Sequence, residues 1–214
     1  TYLLLNLALE ISALELNATA FAFPVDPLVA TTTAIFSGTE SILTFPKLSA
    51  GPVPESALRL MEWLPEHLPA PQRAALIHGD FRLDNLIFHA TEPRVMGVLD
   101  WELSTIGDPI SDFAYHCMSW HIPHSLWRGI KGLDLQALGI PDERTYQGWY
   151  SAGREAIDPA AWRFYVAFNL FRMSAILFGI AERAQQGNAN SKDAVETGAK
   201  AGPLADLGCE VAGI

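Results

Sequence analysis

Three residues within a short stretch have the types and spacing to carry out phosphoryl transfer: Asp80, Asn85 and Asp100. Asp80 sits in His78-Gly79-Asp80-Phe81-Arg82-Leu83-Asp84-Asn85, and Asp100 closes Val95-Met96-Gly97-Val98-Leu99-Asp100-Trp101. A carboxylate placed beside an attacking hydroxyl can take its proton. A second carboxylate and a side-chain amide oxygen suit magnesium, a hard cation that takes oxygen ligands. The expected division of labour is Asp80 as base, with Asn85 and Asp100 as metal ligands.

These residues need elements that bring them together. Apolar segments stand before the Asp80 loop (Ala74 to Ile77), directly after it (Leu86 to Phe88) and before Asp100 (Val95 to Leu99), and each has the length of a short strand. A His-Gly-Asp triplet alone says little, because Gly and Asp are favoured in turns for local backbone reasons. The flanking strands change the weight of the pattern: ionisable groups at buried strand ends are costly unless they are paired or used.

Neighbouring polar residues invite plainer roles. His78 is expected to be a structural histidine bonded to backbone, and Asp84 a loop hydrogen-bonding residue. Glu102 either reaches the metal through water or bonds a nearby amide. Asp108 before Pro109 fits a helix N-cap with Pro at the first helical position. His116, His121 and His124, with Cys117 beside them, match no closed zinc spacing.

Base and metal ligands from one loop and a following strand end also form the protein-kinase arrangement. His78-Gly79-Asp80 through Asn85, followed by Leu99-Asp100-Trp101-Glu102, resembles the aminoglycoside phosphotransferase and choline kinase family. The continuation Leu103-Ser104-Thr105-Ile106-Gly107-Asp108-Pro109 and Asp112-Phe113-Ala114-Tyr115-His116-Cys117 narrows the resemblance. It is similar to the kinase-like domains that in some proteins are fused to an acyl-CoA dehydrogenase, over about residues 55–212. The resemblance implies ATP and Mg2+ as phosphoryl donor and metal. It also implies a hydroxylated acyl group, rather than an antibiotic, as acceptor. Arg82 stands where protein kinases place a Lys two residues after the base, which implies contact with the transferred phosphoryl group.

Such a family member carries an N-terminal lobe with a phosphate-covering loop and a strand Lys for the nucleotide. All fourteen Lys and Arg residues lie at or after Lys47, and the first 46 residues hold four acidic groups. Phe36 to Ser41 followed by Ile42 to Phe45 offers a turn leading into a strand, with Lys47 as the nucleotide-binding cation. One Gly is not a Gly-rich loop, and Pro46 suits a central strand poorly. A surface loop is the plainer reading, so residues 1–53 are expected to form an atypical or truncated N-terminal lobe. Residues 54–214 are expected to form the kinase-like C-terminal lobe.

The 214 residues are half hydrophobic, enough for a real core, and the net charge of −10 offers no basic stripe for nucleic acid. Two cysteines make no disulfide framework and suit a reducing cytoplasm. Residues 1–24 are apolar but interrupted by Asn6, Glu10, Glu15 and Asn17, and lack the positive start of a signal peptide. No membrane partner is expected, and the oligomeric state is left open.

Helical periodicity is expected over residues 2–16, and over Pro54 to Leu68, where Leu58, Met61, Trp63-Leu64 and Leu68 recur at helical intervals. Helices are further expected from Pro109 to about Trp120, with Phe113, Cys117 and Trp120 on one face, and from Asp142 to about Ala152. Between these two, Pro123 to Ile140 reads as an irregular connection. Asp158-Pro159 opens the longest helix, which runs to about Gln186 and is apolar nearly all round, as a helix in the middle of a core is. A final helix, about Ser191 to Val211, is expected to break near Gly202-Pro203.

The fold class that emerges is α+β, protein-kinase-like. A mainly helical C-terminal lobe carries a small β catalytic loop, and the acceptor pocket is expected near Trp101, His116, Trp120 and the long helix. The function that emerges is an ATP- and magnesium-dependent phosphotransferase for a hydroxyl of a small molecule. Two other classes stand beside it: a non-catalytic kinase-like binding domain without a competent nucleotide lobe, and a metal-dependent hydrolase using Asp80 and Asp100.

Overall fold

Apolar residues recurring at Ala57, Leu60 and Leu64 make α1, Glu55–Glu66, a helix with one buried stripe. The expected stripe holds at Leu64, with Met61 and Trp63 packed against the core, but Leu58 and Leu68 are exposed and Leu60 is fully buried in their stead. The structure, a computed structural model, describes residues 53–70, 74–185 and 194–214. Lys47, Gly38, the helix expected over residues 2–16 and the lobe expected over residues 1–53 lie outside the described residues, apart from Val53.

Four short strands follow: β1 Ala75–Ile77, β2 Leu86–Phe88, β3 Val95–Val98 and β4 Thr105–Gly107. They form two separate antiparallel pairs, β1 with β4 and β2 with β3. β4 had no counterpart among the expected strands. The strands are half-buried rather than buried: Leu76, Ile87 and Met96 face outward while Ala75, Ile77 and Leu86 face the core. This is the alternation of a sheet with one packed face.

The helical remainder is α2 Pro109–Cys117, α3 Glu143–Tyr150, α4 Pro159–Gln185, α5 Ala194–Gly198 and α6 Ala201–Ala212. Asp108 caps α2 by accepting from Ile110 N at 2.9 Å, with Pro109 behind it. Asp142 caps α3 through Thr145 N at 2.7 Å. A single 3-10 turn, Met118–Trp120, ends the α2 segment where a longer helix was expected. The stretch between α2 and α3 is irregular, as its Gly and Pro content predicts, with one bridge between Pro123 and Lys131.

The break expected at Gly202-Pro203 falls earlier, at Ala199-Lys200. Pro203 instead occupies the first turn of α6, where a missing N–H leaves no helical bond unmade. α6 approaches α1 closely because Gly208 has no side chain: a Cβ there would lie 2.8 Å from Leu60 Cδ1.

α4 is the central element and packs against α1, α2, α5 and α6. By length and composition Pro159–Ala181 could cross a membrane, but most of it is buried inside this fold. Polar ties fix it in register. Tyr165 donates to Asp108 Oδ2 at 2.8 Å, Asn169 to Ser111 O at 3.1 Å, and Ser174 to Ala201 O at 2.7 Å. The first two hold the N-terminal end of α2, and α2 in turn holds the catalytic-type loop.

Candidate active site

Asp112 and Tyr115, three residues apart, share one face of α2. That face meets the loop between β1 and β2. The buried Asp112 carboxylate accepts from two consecutive amides, His78 N and Gly79 N, the latter at 2.9 Å. Burial pushes the Asp112 pKa upward; the two amide donors, His78 and Arg172 oppose that rise. Both its oxygens accept from N–H groups, which is the arrangement of an ionised carboxylate.

Gly79 makes the turn possible. Its φ is 83°, and a Cβ would lie 2.5 Å from Leu103 O. The neighbouring His78 is bonded to backbone on both ring nitrogens. Nδ1 accepts from Asp80 N at 3.2 Å, so Nε2 must carry the proton that it gives to Leu99 O at 2.7 Å. The structural role expected of His78 is the one it has here.

Asp80, next in the loop, is held by three side chains. Tyr115 donates to Oδ1 at 2.5 Å; Arg82 Nε and Asn85 Nδ2 each donate to Oδ2 at 3.1 Å. Asn85 Nδ2 also donates to Asp80 O at 2.9 Å. Both amide protons of Asn85 are therefore committed to Asp80. Its Oδ1 has no partner among the described residues. The Tyr115 phenol has its pKa pushed well up, first by burial and then by the Asp80 carboxylate, so it stays a donor. The Arg172 guanidinium lies 5.3 Å from the centre of its ring.

The β3 end is tied to the same loop. Leu99 N donates to Asn85 O at 2.8 Å while Leu99 O accepts from His78. Asp100 follows at once, with φ 67° and ψ 54°, a left-handed conformation that Asp tolerates better than most residues. It is exposed, and its carboxylate has no hydrogen bond or ion pair among the described residues. The loop and the strand end thus bring Asp80, Arg82 and Asn85 into direct contact and place Asp100 one residue from a double anchor. Asn85 Oδ1 and the Asp100 carboxylate are uncommitted oxygen donors, a set that fits a hard cation. Glu102 is exposed in the 3-10 turn Trp101–Leu103.

Asp84 makes the loop hydrogen bond expected of it, and its partners are charged. It pairs with Arg82 at 3.4 Å and with Arg128 from the irregular connection. The three histidines considered for zinc go separate ways. His116 is buried among aromatic rings, His121 meets Glu143 at 2.7 Å, and His124 lies near Lys131 O.

A cavity of about 320 Å³ adjoins the loop. Its walls include Tyr115 and Arg82, which grip opposite oxygens of Asp80, together with His116, Met118, Ile122 and Trp127. Of the residues expected around an acceptor pocket, only His116 lines it. Trp101 lies tilted against His78, ring centres 4.7 Å apart, Trp120 stacks on Tyr146 at 5.2 Å, and no residue of α4 reaches the walls. α4 is one layer too deep, because α2 lies between it and the loop.

The phosphotransferase enzyme family matches residues 38–158, more than half of the chain. The chain belongs to that family. It is 46% identical over 158 residues to mouse acyl-CoA dehydrogenase family member 10, covering 72% of this chain and 15% of that protein. It is 38% identical over 156 residues to human acyl-CoA dehydrogenase family member 11, covering 72% of this chain and 20% of that one. The chain therefore spans a fifth or less of the length of these relatives. A crystal structure of a Ralstonia eutropha JMP134 protein assigned as an aminoglycoside phosphotransferase superposes with a TM-score of 0.84 at 41% identity. It covers 99% of this chain and 65% of that one. The kinase-like fold of mixed helix and sheet, expected from the motif, is shown by these matches.

Sequence reasoning passed over Asp112 and Tyr115 as functional groups, although both stand in the segment that carried the family resemblance. The available signal was their spacing of three on a helix capped by Asp108, which aims both at one neighbour.

Proposed function

We propose that this phosphotransferase-family chain transfers the γ-phosphoryl group of ATP to a hydroxyl of a small, partly apolar molecule such as a hydroxyacyl compound. The observation that carries the reading is the Asp80 carboxylate, fixed by Tyr115, Arg82 and Asn85, of which Tyr115 and Arg82 also line a cavity of about 320 Å³.

Oδ2 of Asp80 already takes two donors and Oδ1 one, so Oδ1 keeps a lone pair for the acceptor hydroxyl. Asp80 orients that hydroxyl and takes its proton as the new P–O bond forms and the bond to the β-phosphate oxygen breaks, releasing ADP. Arg82 adds positive charge next to the transferred group. Asn85 Oδ1 and Asp100 would hold magnesium, which when bound neutralises charge on the phosphate oxygens. Lys47 is the proposed cation for the remaining phosphates. In this reading residues 54–214 act as the C-terminal lobe and residues 1–53 as an atypical or truncated N-terminal one, in a cytoplasmic enzyme without a nucleic-acid partner.

Rate enhancement in such a site comes from positioning and electrostatics rather than covalent chemistry. The triple grip on Asp80 is the positioning half of that requirement. Calorimetric titration with ATP, with and without magnesium, tests the reading. Magnesium-dependent binding that disappears in Asp100→Asn is expected. Absence of binding in the wild type would instead favour a non-catalytic kinase-like domain.

A further inference from the structure

We propose that Arg128 reads the acceptor, binding a carboxylate carried on an otherwise apolar molecule whose hydroxyl lies at Asp80; the position of that hydroxyl rests on the phosphotransferase reading above. The cavity beside Asp80 is apolar along Leu83, Met118, Ile122 and Trp127, and its charged groups are Arg82, Arg128 and Asp84. With Asp80, which pairs with Arg82 beside it, the two cations meet two anions, so the site carries no excess charge until Asp84 releases Arg128.

The two arginines are not equivalent. Arg82 is engaged with both Asp80 and Asp84. Arg128 uses Nη1 on Asp84, and its remaining N–H donors have no hydrogen-bond partner among the described residues. A guanidinium with open donors is suited to a carboxylate, which it can hold with two parallel bonds. The Asp84–Arg128 pair is half-exposed on both sides, at 58% and 51%, so it is worth little in water and yields readily to a ligand.

The backbone supports the same assignment. Arg128 has φ 47°, one of two positive values among the described non-glycine residues; the other is Asp100. The chain that follows is tightly packed. A Cβ on the next residue, Gly129, would lie 1.9 Å from Ile122 O, and the loop is closed by Ile130 N to Ser119 O at 2.9 Å and Lys131 N to Ile122 O at 3.0 Å. The guanidinium also lies 5.3 Å from the centre of the Trp127 ring, which limits its freedom before any ligand arrives. Strained residues that the surrounding structure holds in place concentrate at ligand clamps. A carboxylate is chosen over a phosphate because a single negative charge matches the one guanidinium, Arg128, whose donors are open.

The test titrates the full chain, without ATP, with medium-chain hydroxycarboxylates, their methyl esters and matching hydroxyalkyl phosphates, following tryptophan fluorescence and heat. The wild type is expected to bind the acid about tenfold to a hundredfold tighter than the ester, the range for a hydrogen bond to a charged group. Arg128→Gly, which accepts φ 47° without strain, is expected to erase that preference while still melting cooperatively. Arg128→Lys, which keeps the charge but not the fork, is expected to fall between.

Equal binding of acid and ester by the wild type, no binding of either, or a preference that survives Arg128→Gly would overturn the proposal; tighter binding of the phosphate would overturn the choice of carboxylate. Turnover of ATP is read separately. Arg128-dependent acid binding without turnover would support this proposal and count against the phosphotransferase reading. Turnover that treats acid and ester alike would support that reading and overturn this proposal.

Discussion

The Tyr115 hydroxyl donates to Asp80 Oδ1 at 2.5 Å, across 35 residues of sequence. The phenol orients the carboxylate and leaves the other lone pair of Oδ1 for an acceptor. Tyr115→Phe removes this bond with little change of volume. A fall in kcat of about tenfold to a hundredfold is expected, since a hydrogen bond to a charged group is lost. The KM for ATP should stay within about twofold, because Tyr115 touches the acceptor side of Asp80. Steady-state kinetics on the purified variant reads both quantities. A rise in the ATP KM at unchanged kcat would place Tyr115 on the nucleotide side instead.

Asp112 anchors the turn that presents Asp80. In Asp112→Asn one carboxylate oxygen becomes an NH2 group facing a backbone amide donor, in a buried site. Leaving a buried donor unsatisfied costs about 1–3 kcal/mol, and the clash of two donors puts this case at the upper end. Urea unfolding should show a midpoint lowered to match with an unchanged m-value. A variant as stable as the wild type would mean that the turn holds itself.

The catalytic-type turn was legible in the sequence because its chemistry constrains residue types locally: Asp80, Arg82 and Asn85 lie within six positions and meet through a single 3-10 turn. Asp100 was legible because the β2–β3 pairing returns the chain to the same place. Asp112 and Tyr115 were not, because their contacts depend on how α2 docks, and α2 is placed by Tyr165 and Asn169 from α4. Two residues expected on the buried face of α1, Leu58 and Leu68, are exposed for a related reason. Leu58 and Leu68 are as apolar as Leu60, and it is Leu60 that meets the Gly208 notch in α6. The cavity wall contributed by Trp127 and Arg128 comes from an irregular connection, where no periodicity marks which side faces inward.

His116 gives the fold a pH dependence that can be isolated. It is buried without a partner for Nε2, and burial lowers its pKa from 6.5 to about 4. Between those values the unfolded chain takes up a proton that the folded chain refuses. Stability from this group is thus complete above about pH 6.5 and is lost progressively as pH falls toward 4. The loss amounts to roughly 3 kcal/mol at the acid end. Urea unfolding of the wild type and of His116→Gln at several pH values should show the wild type losing more stability across that window. Parallel curves would show that His116 is solvated or paired in solution.

The most direct test of the account is phosphoryl transfer by Asp80→Asn set against its nucleotide affinity. With ATP, magnesium and a hydroxycarboxylate, formation of the phosphorylated product is followed by mass spectrometry, and ATP binding by calorimetry on the same preparations. The wild type is expected to form product, and Asp80→Asn to lose at least about a hundredfold in rate, the scale of general-base catalysis. Its ATP affinity should stay near that of the wild type, because Asp80 acts on the acceptor hydroxyl. Product formation at an undiminished rate by Asp80→Asn, or a loss of ATP affinity as large as that of Asp100→Asn, would contradict this role for Asp80.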